Sequence, residues 1–434
     1  MADVTERLKH LGVLVPEILL PRDGVDLYRW AVIACDQHTS NRDYWQRVQQ
    51  ETAGEPSTLH LVLPEVYLED EDLDERIAAI RRSMDRYLAE GVLEPRGPLV
   101  VYTERYTRGD RPRRGLVVAV DLERYDYSPD STSLIRATEE TILSRLPVRE
   151  RIRNGAPLEV PHIMLMLDDP DDTVFGTVAA MRHRLGVLYD TELMLGGGRV
   201  RGYALDEPSL LEGFTSALEA LFGRYGAGEE LLFAVGDGNH SLAAAKGVWE
   251  RRKQQGADPA TDPGRYALVE VVNLYDPALT IEPIHRVFFE TDVESVFKAF
   301  RTLGGDSYRE YPDRESGLRA VAGSGDEFCV LGPQGAATFT LSGDDTALPQ
   351  ERVEAEIERL RSEAGSGTTV DYIHGTEELL RLTGGANTVG IAMPGLEREL
   401  LFPRVVTSGP LPRKMFSMGE SFEKRYYLEA RRID

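Results

Sequence analysis

The densest chemistry in the chain lies between Leu231 and Lys246, LLFAVGDGNHSLAAAK. An apolar run ends in Gly236-Asp237-Gly238-Asn239-His240-Ser241, and an Ala-rich run follows. The pattern predicts a buried strand ending near Gly236 and a helix starting within a residue or two of Asn239. Two glycines let the backbone turn tightly and approach a ligand closely. The N–H groups at a helix start favour an anion. His240 and Ser241, in the first turn, could donate to a phosphate. Asp237 could hold a divalent cation or act as a base. Lys246 follows two turns along on the same face. In the plainer alternative Asp237 or Asn239 caps the helix and Lys246 points to solvent. The spacing is neither a P-loop nor a dinucleotide fingerprint.

Other groups are scattered. Glu139, with Glu140, falls in Ser131–Leu146, a stretch that reads as helical, and is a second candidate base. His285 and Arg286 follow Pro283 and Ile284 in a strand-like run. Arg413 and Lys414 open a tail in which Arg404 to Asp434 holds seven basic and four acidic residues, Lys424 and Arg425 among them. Such a tail could close over an anion or simply pair with acidic neighbours. His162 starts a strand, His374 precedes a helix, and no H-E-x-x-H or other zinc spacing is present. Cys35 has no base near it in sequence and reads as buried.

Strands and helices alternate to position these groups. Trp30–Cys35 and Leu59–Leu63 read as short buried strands. Leu73, Ile77, Ile80, Met84, Tyr87 and Leu88 recur at spacings of three and four, which predicts a helix over 69–90. Strands are expected at 99–102, 116–122, 162–167, 231–235, 266–274 and 281–289, and helices at 173–185, 210–225 and 239–253. Arg108–Gly115 reads as a solvated basic loop, and the neighbourhoods of Gly343 and Gly365 as polar loops. The pattern predicts a mixed α/β, or α+β, fold with a mixed sheet core and flanking helices. Residues 1–305 would form a region carrying the turn. Residues 306–434 would form a smaller α/β region with the basic C-terminal segment, or continue the first as one domain.

The chain has 434 residues, enough for a sizeable core, with 41% hydrophobic and 28% charged residues. Lys and Arg total 50 against 73 Asp and Glu, a formal charge of −23. That balance disfavours a nucleic-acid partner but not a small anionic or phosphorylated ligand. No apolar run approaches the ~20 residues of a membrane span, and two cysteines without metal or disulfide spacing suit a reducing compartment. A soluble cytoplasmic protein is expected. Nothing in the sequence fixes the oligomeric state.

The chain resembles a bacterial and archaeal family catalogued as domain of unknown function 1015. The likeness rests on WAVIACDQHTSNRDYW (30–45), PSTLHLVLPEVYL (56–68), VGDGNHSLAAAK (235–246), EPIHRV (282–287), DYIHG (371–375) and LPRKMFSMGESFEKRYYLEARRI (411–433). The family's D-G-[HN]-H motif is similar to the phosphate-binding turn of the ParB and sulfiredoxin superfamily. There a G-x-H-R-like turn holds nucleotide phosphates, and some members phosphorylate free serine. Asp237, Gly238 and His240 match, whereas Asn239 and Ser241 replace the His and Arg of a D-G-H-H-R form. Arg413, Lys414 or Arg286 would then supply the missing cation. The resemblance implies ATP or ADP on Gly236, Gly238, Asn239, Ser241, Lys246 and these basic residues, with magnesium at Asp237. The expected activity is a nucleotide-dependent phosphotransferase on a small metabolite, in its narrowest form a free-serine kinase, with Asp237, His240 and Glu139 at the chemistry. The alternatives are a non-enzymatic nucleotide-binding switch and a phosphatase of a phosphorylated metabolite.

Overall fold

The computed structural model describes residues 2–107, 111–226, 230–322, 324–341, 347–363 and 368–434. Arg108–Asp110 of the expected basic loop, Gly343 and Gly365 lie outside the described residues. The chain divides into two compact units, Met1–Leu279 with Glu420–Asp434, and Thr280–Gly419. The division falls earlier than residue 305. The strand Ile281–Phe289 pairs with Thr369–His374, Val389–Ala392 and Phe416–Met418, so it belongs to the second unit's sheet. The basic tail itself is split, and its last residues return to the first unit.

The first unit is built on a ten-stranded mixed sheet. Its strands are β1 Val13–Leu14, β2 Val100–Tyr106, β3 Arg113–Asp121, β4 Tyr125–Asp126, β5 Ile135–Ala137, β6 Met164–Leu167, β7 Gly186–Leu193, β8 Gly198–Leu205, β9 Phe233–Asp237 and β10 Tyr266–Asn273. They lie in the order β7-β8-β2-β3-β10-β6-β9-β5-β4, with β1 on β3. Successive side chains of a strand face opposite ways, and two cores result. Leu116 and Val118 join the helices 173–180, 208–222 and 239–254 on one face. Val117 and Val101 join the helices 42–51 and 73–89 on the other. The expected helix over 69–90 spans Leu73–Ala89 and buries Ile77, Ile80, Met84 and Tyr87. The second unit has a seven-stranded sheet of its own. The fold is thus mixed α and β, with a large mixed sheet and flanking helices.

Three stretches depart from their local pattern. Ser131–Leu146 is not a helix. Ile135–Ala137 pairs in parallel with β9, and helix begins only at Leu146, with Pro147 in its first turn. The ladder available to Ile135 outweighs helical spacing. Residues 30–34 are buried but form no strand, making only one isolated antiparallel bridge, Ile33 to Tyr426. A short helix ends at Trp30, and the next residues bond outward: Val32 N–H to Thr58 Oγ1, Ala34 N–H to the Arg425 carbonyl and Cys35 N–H to the Tyr427 hydroxyl. Leu59–Leu63 is not a strand either. Thr58–His60 is a 3-10 turn capped by Ser57, whose Oγ accepts from Leu59 N–H.

β9 ends at Asp237, Gly238 turns the chain and the helix Asn239–Gln254 follows, as the sequence pattern predicts. Gly238 has φ +79°, and a Cβ there would sit 3.0 Å from Ile163 Cα. Left-handed backbone costs a non-glycine residue ~1–2 kcal/mol before any contact is counted. Gly238→Ala should therefore lower the unfolding free energy by about 2 kcal/mol or more. Urea denaturation measures this, and a loss under ~0.5 kcal/mol would show that the turn is not conformationally demanding.

Candidate functional site

The C-terminal ends of β9 and its parallel neighbour β5 open on one edge of the first unit's sheet. Val235 pairs with Ala137, the last residue of β5, and Glu139 follows two residues later. β6 runs antiparallel to β9, with Asp237 opposite Met164, so its preceding residues, His162 and Ile163, reach the same edge. Asp237 and one further histidine, His162, thereby meet at the turn.

Lys424 is the cation at this edge. It is buried, and its Nζ lies 3.1 Å from Asp237 Oδ2. Asp237 Oδ1 accepts the N–H of Gly238 at 3.1 Å. The helix start has no side-chain cap, since Gly238 occupies the cap position. Asn239 Oδ1 is buried without a hydrogen-bond partner among the described residues. An uncapped helix start beside a buried ammonium is suited to an anion.

A chain of hydrogen bonds fixes the Ser241 hydroxyl. Cys35 N–H donates to the Tyr427 hydroxyl at 3.0 Å. Burial pushes the Tyr427 phenol well above its ordinary range, so it keeps its proton. The Tyr427 hydroxyl lies 2.8 Å from His162 Nδ1. His162 Nε2 lies 3.0 Å from Ser241 Oγ, with Asp36 Oδ2 at 3.6 Å. Burial, with Asp36 and Glu65 adding to it, pushes the Cys35 thiol up and disfavours its thiolate form.

His240 has a backbone partner that its position in the sequence does not suggest. Its Nε2 accepts the backbone N–H of Ile142 at 3.2 Å, which leaves Nδ1 as the ring donor. It therefore anchors the loop between β5 and the helix at Leu146. Lys246 gives its ammonium to the Leu122 carbonyl at 2.8 Å and to Glu250 at 2.9 Å, one turn further along. Gly236 lies within β9, next to Asp237.

The residues present do not make a protein-held magnesium site at Asp237. Its Oδ2 already faces Lys424, and no group of three or more His, Cys, Asp or Glu with metal-holding geometry occurs among the described residues.

The remaining expected residues belong to the second unit. Arg286 is fully buried, 2.9 Å from Glu354 through both Nε and Nη2, and stacks over the Tyr372 ring. His285 Nδ1 accepts from Met393 N–H at 3.1 Å. Arg413 and Lys414 are exposed and precede the strand Phe416–Met418, whose Phe416 pairs with Pro283. That register leads them to the His285 end of the strand Ile281–Phe289. Sequence reasoning noted Lys424 only as part of the basic tail, and His162 only as a strand start. Their partners lie 187 and 79 residues away respectively, at Asp237 and Ser241.

His285 carries a pH signature. Burial, then Arg286 and His374, lower its pKa to about 4. An unfolded histidine takes up its proton near ~6.5. Between those values the unfolded chain binds the extra proton, so stability falls as pH drops from ~6.5 towards 4. The slope is at most about 1.4 kcal/mol per unit. His285→Gln, which keeps an acceptor for Met393 N–H, should remove that component from denaturation measured at pH 5 to 7. An unchanged pH dependence would mean that His285 titrates normally.

Residues 19–356 match the family model described as Protein of unknown function (DUF1015). No curated protein matches the chain. Three solved structures are similar in part. A conserved hypothetical protein from Pyrococcus furiosus has 11% identity and a TM-score of 0.35, covering 72% of this chain and 94% of that one. A free serine kinase in complex with AMP has 12% identity and a TM-score of 0.36, covering 72% and 90%. A C-terminally truncated SbnI from Staphylococcus aureus has 10% identity and a TM-score of 0.35, covering 70% and 82%. Backbones that superpose this loosely lend no support to a statement about this chain's ligand. No helix among the described residues is long and apolar enough to cross a membrane.

Proposed function

The chain belongs to the DUF1015 family, and we propose that it is a nucleotide-dependent phosphotransferase acting on a small hydroxylated metabolite, with free serine as the first candidate. One observation carries this reading: the buried Lys424 ammonium stands 3.1 Å from Asp237, beside a helix start that no side chain caps. Lys424 takes the place that the sequence motif leaves without an arginine. The first-turn N–H groups, Lys424 and the Ser241 hydroxyl together supply donors for the oxygens of a nucleotide phosphate.

Catalysis of phosphoryl transfer is mostly positioning and charge stabilisation. The acceptor hydroxyl oxygen attacks the terminal phosphorus of the nucleotide. The bond from that phosphorus to the bridging oxygen breaks, and the nucleotide leaves with one phosphate fewer. The hydroxyl proton goes to a carboxylate. Asp237 faces Lys424, and Glu139, which follows β5, is the base in this scheme. Any magnesium would arrive on the nucleotide phosphates, and no step is drawn through it.

Thermal denaturation with ATP, ADP, serine and phosphoserine, each with and without magnesium, tests the reading. A nucleotide at 100 times its Kd should stabilise by about 2.7 kcal/mol. Ser241→Ala, which removes one donor to a charged ligand, should weaken nucleotide binding by roughly 10-fold or more, on a loss of ~1.5–3 kcal/mol. Phosphorus NMR should show the terminal phosphate appearing on the acceptor. Stabilisation by nucleotide without transfer to any hydroxyl acceptor would favour a binding switch. Phosphate release from phosphoserine without nucleotide would favour a phosphatase. No nucleotide effect at all would overturn the proposal.

A further inference from the structure

Both ring nitrogens of His162 have polar neighbours, and the residue is buried. Nδ1 lies 2.8 Å from the Tyr427 hydroxyl, and Nε2 lies 3.0 Å from Ser241 Oγ and 3.6 Å from Asp36 Oδ2. A neutral imidazole carries one ring hydrogen, so one nitrogen donates and the other accepts. Which nitrogen donates decides what Ser241 can offer a ligand. If Nε2 donates, Ser241 Oγ accepts and its O–H is left for a phosphate oxygen. If Nε2 accepts, the Ser241 O–H is taken up by the ring.

Two neighbours favour the hydrogen on Nε2. Tyr427 is 1% exposed, and its oxygen already accepts the Cys35 N–H at 3.0 Å. Its own proton needs an acceptor. His162 Nδ1 and the Cys35 thiol are the groups beside it, and sulfur is the weaker acceptor. A ring that donated through Nδ1 would leave the phenol proton to that sulfur, and a buried donor without a good partner is costly. The second neighbour is Asp36. Gln37 Nε2 donates to its Oδ1 at 3.0 Å, and its Oδ2 lies towards His162 Nε2. A bare Nε2 lone pair would face that carboxylate oxygen unfavourably, whereas an N–H is drawn to it.

We propose that Tyr427 and Asp36 are positioning residues for the phosphate cradle: they hold His162 with its hydrogen on Nε2, so that Ser241 Oγ accepts from the ring and turns its O–H to the ligand. Neither residue touches the phosphate in this scheme. The returning segment contributes twice, Lys424 directly and Tyr427 through His162 and Ser241. The ligand's identity rests on the phosphotransferase reading, whereas the place of the ring hydrogen does not.

Nitrogen NMR of the full chain with isotope-labelled histidine reads the ring directly, the His162 signals being those lost in His162→Gln. Nε2 should resonate as the protonated nitrogen and Nδ1 as the bare one, a readout that needs no change at Tyr427. Tyr427→Phe and Asp36→Ala should each raise the fraction with its hydrogen on Nδ1. A double-mutant cycle then reads the path to the ligand. Tyr427→Phe should weaken ADP binding by roughly 3-fold or more in the otherwise unaltered chain, and by less than about 1.5-fold in the Ser241→Ala background. A merely structural tyrosine would weaken both alike. A protonated Nδ1 in the unaltered chain, or equal losses in the two backgrounds, would overturn the proposal. An unaltered chain that binds no ADP would instead overturn the phosphotransferase reading, and the cradle role with it, whatever the ring signals show.

Discussion

The buried guanidinium of Arg425 fixes the first unit. It lies between Glu270 on β10 and Glu429 four residues on, and its Nε donates to the Pro161 carbonyl. Burial works against the charge on Glu270, but Arg425 and Arg113 more than offset it and hold that carboxyl below its usual range. Removing one partner of such a set strands a buried charge, which typically costs ~3–5 kcal/mol. The contact therefore holds the returning segment Glu420–Asp434 in a single register. Lys424 then meets Asp237, and Tyr427 falls under His162. The candidate site thus depends on a chain end far from it in sequence.

The same segment organises the face of the first unit near Trp30. The Trp30 indole N–H donates to the Leu428 carbonyl, and Tyr427 N–H bonds back to the Val32 carbonyl. An apolar run with no ladder still satisfies its backbone groups, because the returning segment and Thr58 supply partners. The cost of burying Trp30–Cys35 outside a sheet is met by contacts across almost the whole chain length.

Local pattern carried the turn and not its surroundings. Gly238 needs a positive φ and close backbone approach, and the runs on either side have strand and helix composition, so the strand–turn–helix at Asp237 was legible from its own residues. Asp237 and Ser241 could be named for the same reason, whereas Glu139 was named on a stretch that is not the helix it reads as. Lys424, His162 and Tyr427 could not be assigned to the turn, since pairing across two strands and a chain end leaves no mark at short spacing. The stretch 131–146 was misread because Leu134, Ile135, Ile142, Leu143 and Leu146 imitate helical spacing, whereas a vacant edge on β9 claims Ile135–Ala137. His240 has the predicted place in the first turn, and its contact with the N–H of Ile142, across 98 residues, leaves no local mark. The division at Leu279 was hidden because Ile281–Phe289 looks like any buried strand until its sheet partners are known.

The central claim is that the turn at Asp237–Ser241 is a phosphate cradle completed by Lys424. A crystal structure of the full chain with ADP tests it most directly. The account predicts phosphate oxygens within hydrogen-bond distance of Lys424 Nζ, the Ser241 hydroxyl and the first-turn N–H groups, with His162 still bonded to Ser241. Nucleotide bound elsewhere, or a turn left empty at saturating ADP, would contradict it.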